Sequence, residues 1–317
     1  MKKFVSILLA ALLVLGAASA MAEGKTYTVG ICQLVTHDAL DAATQGFIDA
    51  LTEELGDAVT FDVQNAAGDS NTCSTIANAF VSDKVDLILA NATPALQAAT
   101  AATADIPILG TSVTEYGVAL DIEGFTGVVG GNVSGTSDLA PLDQQAAMIQ
   151  ELFPEAKNVG LVYCSAEANS QYQVDTVKAC LETLGYNCTL YPFADSNDAA
   201  AVVQTAADAS DVIYVPTDNT VAANTGIVDN ICQPAGIPVI AGEEGIAKGC
   251  GVATLSISYY DLGVTTGKMA AKILTGEADI STMPVAYAEN FTPKYNPVIC
   301  EALGLTMPEN YVAIDME

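Results

Sequence analysis

Short polar segments recur along the chain, and all except the one near the middle follow an apolar run typical of a buried strand. These segments are 36–38, 68–71, 91–94 and 111–115 in the first half, 135–138 near the middle, and 165–170, 217–220 and 242–245 in the second half. Ligands bind outside the carboxyl ends of the strands in open parallel sheets. Two facing sets of such segments therefore predict a polar cleft that holds a small molecule.

The candidate ligand contacts are short hydroxyl, amide and carboxylate side chains, together with an imidazole and a phenol. They are Thr36, His37, Asn91, Thr93, Thr114, Ser137, Asp138, Ser165, Asn169, Ser170, Thr217, Asp218, Asn219, Glu243 and Tyr259. Asp218 and Glu243 are the most specific candidates, because a carboxylate on a cleft wall would pair with a ligand ammonium group. Helix N-capping is the alternative for each short polar residue. For His37 and Tyr259, ligand contact and ordinary packing are both open.

Motifs for enzymatic chemistry or metal binding are absent from the sequence. It has one His and no Cys-x-x-Cys pair or Cys/His cluster, so neither a metal site nor a cofactor is expected. A Ser-His-Asp triad would have to use His37, and no Ser stands in a recognisable nucleophile motif. We expect a binding protein rather than an enzyme, with a carboxylate-based hydrolase as a remaining alternative.

Charge and the first residues indicate where the protein works. The net charge of −28 excludes nucleic acid as a partner, and all ten basic residues are Lys, so no Arg can hold a ligand carboxylate.

A signal peptide is predicted over residues 1–22, from Lys2 and Lys3, the apolar run 4–15 and Ala-x-Ala sites ending at Ala20 and Ala22. No Cys stands directly after the apolar run, where a lipid anchor would be attached. We expect an exported, monomeric protein in the periplasm or outside the cell, without a lipid anchor.

The eight cysteines of an exported chain can form disulfides. Cys180 with Cys188, and Cys232 with Cys250, are close in sequence at helix-to-strand transitions. The pairing of the other four is open. In a reducing setting all eight would be buried thiols.

Val- and Ile-rich runs alternate with helical patterns, which predicts an α/β fold with parallel sheets. The alternation occurs twice, and the segment 85–94 is echoed by 210–219, so we expect two similar lobes joined by a hinge. The first lobe is predicted to comprise residues 23–134 and about 259–282, and the second lobe residues 135–258 and about 283–317. The final segment, from residue 283, is predicted to be irregular with one short helix.

Nine segments of the sequence resemble the tryptophan/tyrosine-type substrate-binding components of ABC uptake systems. They are 33–41, 64–69, 81–88, 92–94, 135–138, 167–170, 216–220, 242–245 and 259–263. The resemblance implies a type I periplasmic-binding fold, in which two Rossmann-like lobes are joined by three crossing strands and close on ligand in the cleft. It also implies an aromatic or hydrophobic amino acid as ligand and a membrane permease as partner. A ligand-sensing subunit of a membrane receptor is the alternative.

An amino-acid ligand suggests a role for each group of candidate residues. Asp218 and Glu243 are expected to bind the ammonium group. Thr93, Ser137, Asn169 and Ser170, together with backbone N–H groups, are expected to hold the carboxylate and other polar edges.

Overall fold

The computed structural model describes residues 25–288 and 290–316, which form thirteen strands and twelve α-helices. In chain order the strands are β1 (Tyr27–Gln33), β2 (Val59–Asn65), β3 (Leu87–Asn91), β4 (Ile108–Val113), β5 (Val133–Ser137), β6 (Asn158–Cys164), β7 (Asn187–Phe193), β8 (Val212–Val215), β9 (Val239–Ala241), β10 (Ala253–Ser256), β11 (Ala286–Tyr287), β12 (Thr292–Tyr295) and β13 (Val312–Ala313). The helices are α1 (Asp38–Leu55), α2 (Ser70–Asp83), α3 (Thr93–Ala102), α4 (Tyr116–Ala119), α5 (Leu142–Leu152), α6 (Ala168–Thr183), α7 (Ser196–Ala209), α8 (Asn219–Ala222), α9 (Thr225–Ala235), α10 (Glu244–Cys250), α11 (Tyr259–Leu274) and α12 (Pro297–Ala302). Short 3-10 turns lie at Gly56–Ala58 and Ile280–Thr282.

The strands form two separate sheets, one in each lobe. The first sheet has the order β11-β5-β4-β3-β1-β2 and is parallel throughout. The second has the order β13-β12-β10-β9-β8-β6-β7 and is parallel except where β12 runs against β10. Central strands such as β3 and β8 are buried at every residue because helices cover both faces of each sheet. The predicted two-lobed α/β class is confirmed.

The chain crosses between the lobes three times: after β5, between β10 and α11, and between β11 and β12. The predicted first boundary at residue 135 is wrong, because β5 pairs with β4 and keeps residues 135–137 in the first lobe. Its Val-Ser-Gly-Thr-Ser sequence has a single apolar residue, so it lacks the apolar pattern that predicts a strand. Its polar side chains are nonetheless buried, and Thr136 bonds Thr111 and Thr266.

The final segment also differs from the prediction. Residues 283–287 stay with the first lobe, because β11 pairs with β5 and Ser134 donates its hydroxyl to the Met283 carbonyl. The predicted short helix is present as α12, but two strands flank it, and β12 extends the second sheet. Short strands of mixed polarity at a sheet edge carry little periodic signal.

Helices α1 and α11 pack in direct backbone contact, which fixes their N-termini at the cleft. A Cβ atom on Gly46 would lie 2.1 Å from the Tyr260 carbonyl oxygen, and one on Gly263 would lie 2.0 Å from the Ala43 carbonyl oxygen. Only glycine allows the two backbones to approach this closely. Helix α1 begins after His37 and α11 begins at Tyr259, so this contact sets the relative position of two candidate site residues.

All eight cysteines are free in the described chain, so neither of the two candidate pairs, Cys180 with Cys188 and Cys232 with Cys250, is bridged. Six of them are buried, and several use the thiol as a hydrogen-bond donor: Cys164 to the Ala194 carbonyl, Cys250 to that of Ile246 and Cys300 to that of Val252. The structure matches the alternative of reduced thiols within the core.

The signal-peptide prediction concerns residues 1–22, which lie outside the described residues. None of the described helices combines the length and the apolarity needed to cross a membrane.

Candidate ligand-binding cleft

A small cavity lies between the lobes where the strands of both sheets end. Its lining residues are His37, Ala39, Leu40, Ser112 and Thr114 from the first lobe, Asp138 and Tyr259 at two of the crossings, and Asn169, Thr217, Asp218, Asn219, Ala222 and Glu243 from the second lobe. The free volume of the cavity is about 10 Å³, room for about one water molecule, so the two lobes lie almost against each other around these polar side chains. An amino acid therefore fits between these residues only when the lobes stand further apart.

Polar atoms without a partner are concentrated in this cavity. Four of the seven such buried side-chain atoms in the described chain belong to residues that line it. They are His37 Nδ1, Ser112 Oγ, Asp138 Oδ1 and Asn169 Oδ1. Because nearly all buried polar groups in folded proteins have a hydrogen-bond partner, this concentration indicates a polar ligand that supplies the missing partners.

Asp138 presents one free carboxylate oxygen to the cavity. The side chain is only 4% exposed, and its Oδ2 accepts a hydrogen bond of 2.9 Å from the Tyr259 hydroxyl. Burial raises the pKa of this carboxyl, while hydrogen bonds from Tyr259 and Thr114 act in the opposite direction. No Lys lines the described cavity, so the negative charge of Asp138 is not neutralised by the protein.

Asp218 and Glu243 also line the cavity, but their oxygens are bound to backbone N–H groups of their own lobe. Asp218 caps α8 by accepting from Val221 N at 2.9 Å, and its other oxygen accepts from Cys164 N at 2.7 Å. Glu243 caps α10 and accepts from Gly245 N at 2.6 Å. Burial raises the pKa of each to about 7, and for Asp218 the nearby charge of Glu167 adds to the effect. The capping alternative thus describes their contacts, although both add negative potential to the cavity.

His37 reaches from the first lobe to the second. Its Nε2 lies 3.3 Å from Asn219 Oδ1, and the Asn219 amide nitrogen donates to Glu167. The imidazole is therefore the donor to Asn219. Burial lowers the pKa of His37, so the ring is neutral near pH 7 and its Nδ1 is an acceptor. Three of the four unpartnered atoms, on His37, Asp138 and Asn169, are consequently acceptors.

The structure brings nine of the predicted contacts to the cavity and leaves six outside it. Those that line it are His37, Thr114, Asp138, Asn169, Thr217, Asp218, Asn219, Glu243 and Tyr259; those outside are Thr36, Asn91, Thr93, Ser137, Ser165 and Ser170. Two of the residues outside the cavity form hydrogen bonds within their own lobe. Ser137 donates to the Thr114 carbonyl, and Ser165 donates to the Phe193 carbonyl. Of the residues expected to hold the ligand carboxylate, Asn169 lines the cavity, and Thr93, Ser137 and Ser170 lie outside it.

Sequence reasoning missed Ser112, Ala39, Leu40 and Ala222 as lining residues. Ser112 belongs to the polar segment 111–115, but strand alternation gave no reason to select it. The pairing of β4 with β5 shifts register between Gly110 and Val113, on either side of Ser112. A shift of register changes the direction in which side chains point, and it is not visible in a single sequence.

Comparison with known proteins identifies the class to which this fold and cleft belong. The chain belongs to the ABC transporter substrate binding protein family, whose profile matches residues 28–316. It is 39% identical over 267 residues to the tyrosine-binding protein of Clostridioides difficile strain R20291, covering 82% of this chain and 76% of that protein.

Two solved structures are similar over almost the whole chain. One is an ABC domain from Streptococcus pneumonia in complex with L-Trp, with 33% identity, a TM-score of 0.85 and coverage of 90% of this chain and 97% of that one. The other is a ligand-free, open substrate binding protein with adhesive properties from Clostridium difficile, with 39% identity, a TM-score of 0.70 and coverage of 92% and 100%.

The lobes of this protein are arranged more like those of the ligand-bound neighbour. The open protein is the more similar of the two in sequence but the less similar in overall structure. A difference in lobe arrangement explains this inversion, because hinge opening changes the global fit and leaves each lobe intact. Direct contact between the lobes, such as that of His37 with Asn219, agrees with a closed cleft.

Proposed function

We propose that this protein is the extracytoplasmic binding component of an ABC uptake system and captures an aromatic amino acid in the cavity between its lobes. The observation that carries the proposal is the cluster of unpartnered acceptors on Asp138, Asn169 and His37 in a cavity that no Lys lines among the described residues. An ammonium group offers three N–H donors and a positive charge, which is the chemistry this cluster lacks. The relatives named for tyrosine and solved with L-Trp support an aromatic amino acid as ligand.

In this proposal the ligand ammonium binds Asp138 Oδ1 and Asn169 Oδ1, with His37 Nδ1 as a further acceptor. Asp218 and Glu243 do not contact it as primary ligands but strengthen the negative potential around it. Because Asp138 lies directly after β5, where the chain crosses between the lobes, the ligand charge is held at the hinge itself. Binding then favours the closed arrangement, which is the form delivered to a membrane permease.

The alternative of a carboxylate-based hydrolase needs two carboxyl groups that act on the bound ligand, one as acid and the other as base or nucleophile. Of the three carboxyl groups that line the described cavity, Asp218 and Glu243 bind backbone N–H groups with both oxygens, and Asp138 alone has an oxygen without a partner. We therefore propose that the ligand is bound and released without chemical change.

A binding experiment on protein lacking residues 1–22, unfolded and refolded to remove carried-over ligand, tests this function. Thermal unfolding would be followed with L-tyrosine, L-tryptophan and L-phenylalanine, and with glucose and adenosine as comparison ligands. A ligand at about 100 times its dissociation constant stabilises the folded state by roughly 2.7 kcal/mol, which raises the midpoint visibly. A shift with aromatic amino acids and none with the comparison ligands is expected. A shift with glucose or adenosine alone would overturn the assignment.

A further inference from the structure

Ser112 has a strained backbone whose consequence is to point a hydroxyl into the ligand cavity. Its φ is +53°, in the left-handed region that non-glycine residues rarely adopt. The residue is 6% exposed, and its Oγ has no hydrogen-bond partner within the described chain. Strain of this kind persists where the surrounding structure enforces it, often at functional sites.

The first turn of α1 lies beside this hydroxyl. Ala39 and Leu40, the second and third residues of the helix, line the same cavity as Ser112. The first N–H groups of a helix have no partner within the helix, and His37 at the N-cap makes no capping bond with its side chain. Free N–H groups at a helix start attract a carboxylate through hydrogen bonds and the helix dipole.

The acidic groups near this turn are directed elsewhere. Asp41 accepts a hydrogen bond from the Gln33 amide, and Asp38 is exposed at the edge of α1, where it faces Gly245. Asp138 lies at the crossing beside the first lobe, where its backbone N–H donates to the Val113 carbonyl, and Asp218 and Glu243 belong to the second lobe. The free donors of the first lobe therefore have one carboxylate beside them and two across the cavity, which matches the neighbouring carboxylate and ammonium groups of an amino acid.

We infer that Ser112 Oγ and the first-turn N–H groups of α1 form the subsite that holds the ligand's carboxylate. This inference rests on the proposed function and assigns the direction in which an amino acid lies: its carboxylate against the first lobe and its ammonium group against Asp138 and Asn169. It also explains how a protein without Arg binds a carboxylate. Hydroxyl and backbone donors replace the guanidinium fork.

Ligands that differ at the carboxylate, combined with variants of Ser112, test the subsite. Titration calorimetry would compare L-tyrosine with L-tyrosinamide, whose carboxylate is replaced by a neutral amide. Ser112→Gly removes the hydroxyl and accepts a positive φ without strain, so it should fold with an equal or higher unfolding midpoint. Ser112→Ala serves as a second variant. Ser134→Ala is the matched control, because Ser134 is a buried serine of the neighbouring strand whose hydroxyl bonds the Met283 carbonyl.

We expect Ser112→Gly to lower the affinity for L-tyrosine about tenfold, the usual effect of losing a hydrogen bond to a charged group. Binding of L-tyrosinamide should weaken much less, so the variant should prefer L-tyrosine over L-tyrosinamide by a smaller factor than the wild type does. In Ser134→Ala the preference should remain. Equal losses for both ligands in the Ser112 variants would overturn the subsite while leaving amino-acid capture intact. Failure of the wild type to bind either ligand or L-tryptophan would instead overturn the proposed function and the subsite with it.

Discussion

The Tyr259 hydroxyl donates a hydrogen bond of 2.9 Å to Asp138 Oδ2, and the two residues stand at two of the three crossings between the lobes. One oxygen of Asp138 thereby links two of the segments that cross between the lobes, and the other remains free in the cavity. A ligand cation bound at the free oxygen therefore acts on a group that is part of the hinge. Ligand binding and lobe closure can be coupled through this single carboxylate.

The first prediction concerns the charge of Asp138. Asp138→Asn should weaken the binding free energy of an aromatic amino acid by about 2 kcal/mol or more, because it removes a charge-assisted hydrogen bond within a buried site. The same variant should unfold at an equal or higher temperature without ligand, since a buried carboxylate without a cation destabilises the fold. Titration calorimetry and thermal unfolding measure the two effects.

Asp229→Asn is the matched control for this variant. Asp229 also has a carboxylate oxygen without a hydrogen-bond partner and a pKa raised by burial, but it lies on α9 away from the cavity. Its replacement should leave ligand affinity unchanged. Unaltered affinity in Asp138→Asn as well would remove Asp138 from the ligand site.

The second prediction treats Tyr259 as a positioning residue. Tyr259→Phe removes the hydroxyl that holds Asp138 Oδ2 but leaves the ring, so affinity should fall only several-fold, in line with about 1 kcal/mol for one hydrogen bond. The hydrogen bond from Tyr259 lowers the pKa of Asp138, and its loss raises that pKa. Binding by the variant should therefore weaken at a higher pH on acidification than binding by the wild type. Affinity measured across pH checks this, and parallel pH profiles would contradict the role.

The third prediction is a dependence of binding on pH. Burial raises the pKa of Asp218 from 3.8 and that of Glu243 from 4.5 to about 7 in each case, and it raises the pKa of Asp138 as well. A carboxyl whose pKa is raised by folding stabilises the fold below its ordinary pKa, and that contribution is lost as pH rises through about 7. The ligand-free protein should therefore become less stable over that rise.

A bound ammonium group reverses this trend, because it pairs with ionised Asp138 and is attracted by the negative charges of Asp218 and Glu243. The increase in unfolding temperature caused by L-tyrosine should consequently grow as the pH rises from about 5 to about 7. Thermal unfolding with and without ligand across this range measures it. A ligand-induced increase that is constant, or larger in acid, would show that the charges of the buried carboxylates do not stabilise the ligand cation.

Strand periodicity and the doubled pattern of elements were sufficient to predict the two-lobed fold, because the buried central strands are apolar at nearly every residue. The error at β5 has a physical cause: its buried hydroxyls bond one another, as Thr136 does with Thr111 and Thr266, so the strand lacks the apolar signal. Hydrogen bonds between residues distant in sequence cannot be read from composition.

The candidate site was predictable to the level of its loops but not of its atoms. Asp218 and Asp138 are the same residue type just beyond the carboxyl end of a strand, yet Asp218 caps a helix with one oxygen and binds Cys164 N with the other, while Asp138 keeps one oxygen free. Ser112 depends on a local shift of register that no residue pattern announces. Which polar group is left unpartnered is decided by the packed structure.

The last prediction tests whether the contact between α1 and α11 positions the site. A Gly-to-Ala change inside a helix normally stabilises it by roughly 0.5–1 kcal/mol. At Gly263 the added Cβ would lie 2.0 Å from the Ala43 carbonyl oxygen, so the helices must separate. Gly263→Ala should therefore lower the unfolding temperature, and it should weaken ligand binding because His37 and Tyr259 begin or precede these helices.

Gly226→Ala provides the control, since Gly226 lies within α9 and its added Cβ would meet nothing nearer than the Asn230 amide at 3.9 Å. This variant should be equally or more stable and bind ligand normally. If Gly263→Ala lost stability but kept full affinity, the helix contact would support the first lobe without positioning the ligand groups. If both variants behaved alike, the close approach of the two backbones would not be required at all.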